Sequence, residues 1–516
     1  MRRALVFSIP LFFMQVHLCQ QATADCTIGV ASGTVTDDAR PLLWKSRMWS
    51  GCPDNEVVHF SASPYDYIGV RNSGATYPEM GVNSAGLCTG NSLVGGFEPE
   101  DGPFTEHILR NFGTVDEVRS YIQQELAAGT LRVGGCFPIM DADGNAVIFE
   151  INTSQWVLEY DAMNPVRAEQ GLLGWIVRAN EFHDRLDGTD DTSIGGRYES
   201  GAYNVGGLVD AGLLSARTIM QGNDGTDGYE FMRYGPGRPL ATIAAGTVCS
   251  SMVVCGVTAN EDPALATMWI SLGHANYGIA VPTWVRVSNV PDKLRHGDMA
   301  AMADSLAAAG NEVATQTRVL PFEASLFELT EMFLERWRSL GVPSIEEMTR
   351  VETRMADDAY SLLFSLRATG SANEAPTATI DVMSMSHLSV EFTVDAADPD
   401  GQIARVCWDF GDGDSSWSAS TWHTYDAPGE YLVSCTVIDN DGVNVTDWRY
   451  IKVPKGNADG DGDIDLKDYA EFTRCLTGQG QDVFGHECQV FDFDCDGDVD
   501  LSDVMDFQIV FTGSRP

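Results

Sequence analysis

The stretch Cys26-Thr27-Ile28-Gly29-Val30-Ala31-Ser32-Gly33-Thr34-Val35, followed by Arg40-Pro41-Leu42-Leu43-Trp44-Lys45-Ser46-Arg47, decides how the N-terminal part of this chain is read. Its apolar runs, Cys26 to Val35 and Pro41 to Lys45, flank a polar turn at Asp37-Asp38, which predicts two strands of a hairpin. Such a hairpin brings Lys45 or Arg47 back beside Cys26, where a cation favours thiolate over thiol. A cysteine at the first position of a mature chain has a further property. Its thiolate attacks an amide carbonyl while its own α-amino group, titrating at about 8 in model peptides, takes the proton.

The residues before Cys26 read as a targeting segment, 1–24. Arg2 and Arg3 give a positive start, Ala4 to Leu18 is a short apolar run, and Ala22-Thr23-Ala24 fits a cleavage site with small residues. The run is too short to span a bilayer, no longer apolar stretch follows, and export to an extracellular or cell-surface location is expected. That cut leaves Asp25 ahead of Cys26, so a second trimming step is required. Export permits disulfides. The chain has 12 cysteines, and their spacing supports one pair, Cys475 with Cys488.

With 516 residues the chain calls for one large domain plus smaller ones, and its 44% apolar content supports a sizeable core. The formal charge of -42 argues against nucleic acid or an anionic membrane as partner, since both reward Lys and Arg.

Across 26–368 strand-like and helical pieces mix, an α+β pattern. Ala142-Asp143-Gly144-Asn145 reads as a hairpin turn, and Thr247–Val254 and Thr267–Leu272 as buried strands. From Asp298 to Leu366 the period becomes helical, with Phe322, Leu326, Leu329 and Phe333 on one face. Two asparagines are candidate donors to a developing oxyanion: Asn83, in Gly81-Val82-Asn83-Ser84-Ala85-Gly86-Leu87, and Asn180, after an apolar strand ending at Arg178. Each is also an ordinary turn former. Residues 369–376 read as a linker. Residues 377–454 alternate at period two with Asp/Gly-rich turns, a small antiparallel β-sandwich.

The tail, 456–516, carries 15 Asp/Glu against three Lys/Arg. Asn457, Asp459, Asp461, Asp463, Asp465 and Asp468 occupy positions 1, 3, 5, 7, 9 and 12 of one loop, and Gly462 takes position 6. Asp492, Asp494, Asp496, Asp498, Asp500 and Asp503 repeat them, with Gly497 at the turn. Calcium needs six to eight oxygens around one point, and alternate residues of a tight loop supply them. Two structural Ca2+ ions are expected here, and no cofactor for catalysis.

Three resemblances follow from these motifs. Cys26, Lys45, Arg47, Asn83 and Asn180, with Thr267-Met268-Trp269-Ile270, resemble the linear-amide N-terminal-nucleophile (Ntn) hydrolases: penicillin V acylase, bile-salt hydrolase, acid ceramidase and the aminopenicillanic-acid acyltransferases. That resemblance implies a four-layer αββα fold and cleavage of a small non-peptide acyl amide through an acyl-enzyme. An Ntn dipeptidase and a catalytically silent binding protein are the alternatives. Those families follow the basic strand residue with an Asp, where this chain has Met48. Trp408-Asp409-Phe410-Gly411-Asp412-Gly413, His423-Thr424-Tyr425 and Pro428-Gly429-Glu430-Tyr431 resemble a PKD domain, with a spacer role expected. The two loops, each closed by Asp and followed by a helix (Tyr469–Leu476 and Val504–Phe511), resemble a type I dockerin. That likeness implies a cohesin-like protein or surface scaffold as partner, read near Leu466-Lys467 and Leu501-Ser502.

Overall fold

The computed structural model describes residues 26–48, 54–94, 101–153, 155–164, 174–178, 196–221, 248–310, 312–370, 372–386, 388–461, 463–480, 486–493 and 496–511. Among them the chain begins with β1 (Thr27–Ala31), β2 (Leu42–Met48), β3 (Asn55–Phe60), β4 (Tyr67–Asn72), β5 (Met80–Asn83) and β6 (Cys88–Gly90). Helices α1 (Asp101–Asn111) and α2 (Val115–Ala128) follow, then β7 (Gly134–Met140), β8 (Ala146–Asn152), β9 (Trp156–Asp161) and β10 (Trp175–Arg178). After α3 (Gly196–Ala211) and α4 (Ala216–Gln221) come β11 (Val248–Cys255), β12 (Thr267–Leu272) and β13 (Val281–Thr283). The first part closes with α5 (Asp292–Arg295), α6 (Asp298–Ala309), α7 (Glu312–Leu340) and α8 (Ile345–Thr369).

These strands form two sheets, one ordered β10-β1-β2-β11-β12-β13 and one a meander from β3 to β9. The residue pattern shows how they stack. On β7 and β8, Cys136, Met140, Ala146 and Ile148 join the core shared with β1 and β2. Their alternates Phe137, Ile139, Val147, Phe149 and Ile151 pack on Ile108 of α1 and on Val115, Val118 and Ile122 of α2. A strand buried on both faces reads as a continuous apolar run for this reason. The outer face of the other sheet is covered by the late helices, as where Trp269 stacks on Phe327 of α7 with ring centroids 3.6 Å apart. The layers therefore run helix, sheet, sheet, helix, the mixed α and β arrangement expected.

Both hairpins read from the sequence are present. β1 pairs antiparallel with β2. Between β7 and β8, the Asp141 carboxylate accepts from the backbone N–H of Asp143 and Asn145, and Gly144 takes φ +87°, a conformation glycine adopts at little cost.

Strands β14 (Thr377–Ser386), β15 (Ser389–Ala397), β16 (Ile403–Asp409), β17 (Ser415–Ser416), β18 (Ser420–Thr424), β19 (Gly429–Asp439) and β20 (Asn444–Val453) build the expected sandwich. Its sheets are β14-β15-β18 and β17-β16-β19-β20, closed on Phe392, Trp408, Phe410 and Tyr425. The stretch read as a linker and the sandwich beyond it pack against the first domain. Asn373 is buried, and its Nδ2 donates to Ser365 Oγ of α8 and to Asp439 Oδ2 of β19. Phe333 of α7 meets Trp448 edge-on, centroids 5.7 Å apart. Trp337 Nε1 donates to Glu347 Oε1 at 3.0 Å, and Tyr450 Oη donates to the same oxygen at 2.6 Å. Arg350 bridges to Asp409 and to the Leu432 carbonyl. Leu432, Val443 and Trp448 thus belong to the core of the first domain. Burial of several large apolar side chains, each contributing about 1.5–3 kcal/mol, makes this a fixed interface.

In the tail, α9 (Leu466–Cys475), α10 (His486–Gln489) and α11 (Leu501–Val510) complete the fold. The two long helices start three residues before the expected Tyr469 and Val504. The reason is local: Asp465 and Asp500 at loop position 9 are N-caps, and Asp468 and Asp503 at position 12 close capping boxes with them. Cys475 and Cys488 form a disulfide as expected from spacing.

Asp358 of α8 sits in the interface with the sandwich, 5% exposed, beside Thr446 of β20. Burial pushes its carboxyl up to about 7, against the opposing pull of Thr446 hydrogen bonds and Arg354, with Asp357 adding to the rise. Between about pH 4 and 7 the packed state holds a proton that the exposed carboxylate has lost, so stability falls as pH rises through that window and levels off above it. The thermal midpoint of the wild type is expected to drop between pH 5 and 8, and Asp358→Asn to flatten that drop. Parallel slopes for the two proteins would remove Asp358 as its source.

Candidate functional site

Cys26 immediately precedes β1 and is 5% exposed. The pairing Thr27↔Ser46 and Ile28↔Lys45 fixes the geometry around it. Continued by one residue, the register sets Cys26 across from Arg47. Lys45 and Arg47 share one face of β2, turned toward the second sheet. Lys45 Nζ donates to the Glu79 carbonyl at 3.0 Å and to Asn91 Oδ1 at 2.5 Å. Arg47 donates to Asn72 Oδ1 at 2.8 Å and Asn55 Oδ1 at 3.3 Å, and its other terminus stands 3.7 Å from Glu79 Oε1. Ser250 of β11, opposite Arg47 in register, donates to Asn55 Oδ1 at 2.6 Å. Asn91 Nδ2 returns to Glu79 Oε2 at 3.0 Å. On the other side of Cys26, Ser92 Oγ reaches the Cys26 carbonyl at 3.5 Å.

The sequence therefore brings Cys26, Lys45 and Arg47 together as expected. It gave no sign of Asn55, Asn72, Glu79, Asn91 or Ser250. Arg178 was also unassigned. It is fully buried, ion-paired with Glu150 at 2.6 Å and stacked 4.3 Å from the Tyr160 ring, which ties β10 beside β1 across to β8.

Asn83 takes a different role from the one expected. Its Nδ2 donates to the carbonyls of Leu109 and Phe112 at 2.8 and 2.7 Å, and its Oδ1 accepts from Ala85 and Leu87 at 3.0 Å each. Both amide hydrogens are thus used to staple the β5–β6 turn to the end of α1, the turn-former reading. Asn180 lies outside the described residues. Met48 ends β2, paired with Val248 beside a register shift.

The two loops of the tail are built alike. The N-cap residues Asp465 and Asp500 have φ/ψ of -129°/-160° and -129°/-156°, and the helix ends at Leu476 and Phe511 match as closely. Carboxylate oxygens of Asp463, Asp465 and Asp468 lie within 4.8 Å of one another, as do those of Asp498, Asp500 and Asp503. Asp468 and Asp503 are fully buried, and the buried Asp498 Oδ1 accepts no hydrogen bond. Oxygen donors held this close suit a hard divalent cation. Lys467 spans Asp459 and Asp461 at 3.5 and 3.0 Å, holding the Asp461 carboxyl below the usual range. Burial and the neighbouring Asp468 and Asp461 raise that of Asp459. Asp494 and Gly462 lie outside the described residues.

Residues 373–453 match the PKD domain family, and this segment is a PKD domain. The microbial collagenase of Vibrio alginolyticus is 38% identical over 78 residues, 14% of this chain and 10% of that protein. The chain spans about a tenth of the length of the curated relatives it matches. Among solved structures, a mutant of the conjugated bile acid hydrolase of Clostridium perfringens is 12% identical, covering 50% of this chain and 92% of its own with a TM-score of 0.31. An N-acylethanolamine-hydrolyzing acid amidase ortholog of Caenorhabditis elegans is 14% identical, covering 45% and 92% with a TM-score of 0.28. No described helix is long and apolar enough to cross a membrane.

Replacing Asn83 by Ala removes the partner of four backbone groups, two of them in buried hydrogen bonds and two in part-buried ones, and each buried group left unpaired costs about 1–3 kcal/mol. A clearly lowered thermal midpoint is expected for Asn83→Ala, with activity falling only in step with folded protein. An unchanged midpoint with turnover abolished would return Asn83 to the chemistry.

Proposed function

We propose that residues 26–368 form an Ntn-type hydrolase that cleaves linear acyl amides with Cys26 as nucleophile. The observation that supports it most is the placement of Cys26, buried at the head of β1, across from Arg47 in the continued register and with its carbonyl 3.5 Å from Ser92 Oγ. The Cys26 thiol transfers its proton to its own α-amino group as Sγ attacks the acyl carbonyl. The tetrahedral adduct collapses to a thioester, and the protonated amine returns the proton to the departing nitrogen. Water then attacks the thioester with the same amine as base, releasing the acid and restoring the thiol. Arg47, across from Cys26 in the continued register, is assigned a substrate-positioning role, and Asn180 is assigned the oxyanion. Lys45 holds the β2 strand to Asn91 and the Glu79 carbonyl.

This chemistry requires a free α-amino group on Cys26, hence export and removal of everything through Asp25. Intact mass of active protein is expected to begin at Cys26, and Cys26→Ala to lower kcat against a panel of N-acyl amides by several orders of magnitude. Activity that persists in protein retaining Asp25 would rule the mechanism out.

The tail is assigned two calcium ions that organise it as a docking module. Asn457, Asp459, Asp461, Asp463, Asp465 and Asp468 would hold one, and Asp492, Asp494, Asp496, Asp498, Asp500 and Asp503 the other. The ions neutralise carboxylates that otherwise repel. Leu466 and Leu501, at the same loop position and 72% and 78% exposed, fit a cohesin-like protein or cell-surface scaffold as partner. Titration calorimetry of the full chain is expected to count two sites. Asp459→Ala with Asp494→Ala should remove both, together with the rise in thermal midpoint that binding gives. Absence of heat at millimolar calcium would sink this reading.

A further inference from the structure

A cavity of about 410 Å³ lies between α7 and the sheet that holds β1, outside the surroundings of Cys26. Register fixes which face of the sheet it uses. Lys45 pairs with Met252 of β11, whereas Val253 and Cys255 pair with Trp269 and Thr267 of β12. Side chains alternate along a strand, so Trp269, Thr267 and Cys255 point away from the face of Lys45 and Arg47. The floor of the cavity is apolar: Trp269, Phe327 and Leu334 are buried, and the first two are stacked. Its rim is acidic. Asp37 and Asp38 of the β1–β2 turn stand there with Glu328 and Glu331 of α7, and Arg217 of α4 is the one cation among the described residues lining it.

These carboxylates are short of counter-ions. Arg217 is paired with Glu328 at 3.3 Å. Arg338 serves both Glu331 and Glu261, and Arg40 serves Glu261 and, at 3.7 Å, Asp38. With Glu261, five carboxylates share three guanidinium groups, which leaves two negative charges in excess. Asp37 forms no ion pair among the described residues, and burial with the neighbouring Asp38 and Glu331 raises its carboxyl.

We propose that this cavity binds a small organic ammonium ion with a flat apolar body. The body covers Trp269, Phe327 and Leu334, at about 25 cal/mol for each Å² of apolar surface removed from water. The ammonium donates to the rim, where Asp37 is the acceptor without a cation of its own. The volume is that of a small-molecule site, and the same rim repels an anion. The site shares no residue with the proposed chemistry of Cys26, so it stands or falls apart from the hydrolase reading.

Titration calorimetry of the full chain in calcium buffer is expected to show tryptamine binding about tenfold more tightly than tryptophol, which carries a hydroxyl in place of the ammonium. Indole-3-propionate should not bind. Raising salt from about 0.05 to 0.5 M should weaken tryptamine severalfold and leave tryptophol unchanged, because the rim is open to solvent. Asp37→Asn with Glu328→Gln removes the two excess charges and should bring tryptamine to the affinity of tryptophol. Both side chains are exposed, so the thermal midpoint of this variant should match the wild type. Equal binding of tryptamine and tryptophol by the wild type, or tryptamine binding undiminished in the double variant, overturns the proposal. A tryptamine affinity indifferent to salt overturns it without recourse to any variant.

Discussion

Lys45, Arg47 and Arg178 are cations buried between two largely apolar sheets, and the rest of the N-terminal domain is arranged around keeping them satisfied. Stripping water from a cation is costly unless the interior returns its hydrogen bonds. Here each cation draws its partners from the facing sheet: Asn91 and the Glu79 carbonyl for Lys45, Asn55 and Asn72 for Arg47, Glu150 for Arg178. Apolar packing tolerates sliding by a fraction of a residue, whereas these contacts do not. They therefore set how one sheet lies on the other, and with it where the strand headed by Cys26 meets Ser92 and Arg47.

The same reasoning explains why the PKD domain is bonded to its neighbour rather than hung from it. Phe333 and Trp337 of α7 need cover on the side turned away from the sheets, and Trp448 and Tyr450 of the sandwich provide it. Polar groups at the margin are paired across the junction by Arg350, Glu347 and Asn373. A module attached in this way reports its orientation to the first domain.

The tail solves a different problem. Its two short helices are each held at their start by an aspartate pair that also converges on a loop of oxygens. Capping and candidate metal ligation use the same residues, so a cation bound there stabilises the helix start directly. Phe472, Phe491 and Phe507 form the small core between them.

What the sequence determined by itself was local: the β1–β2 hairpin, the Asp141–Asn145 turn, the sandwich with its glycine turns, the duplicated acidic loops and the Cys475–Cys488 pair. Each depends on residues close in the chain, where periodicity and turn chemistry act without help from elsewhere. It also brought Cys26, Lys45 and Arg47 to one place, because a hairpin register is itself a local property. Tertiary structure alone decided the rest. Asn83 and Asn91 are both asparagines at or just past the end of a short strand, and nothing local says what each will bond. The carbonyls of Leu109 and Phe112 make the first a staple, and the ammonium of Lys45 makes the second a partner of the site. The junction with the PKD domain was hidden for the same reason. A stretch poor in large apolar residues reads as a free linker until the long-range partners of Asn373 on α8 and β19 are known.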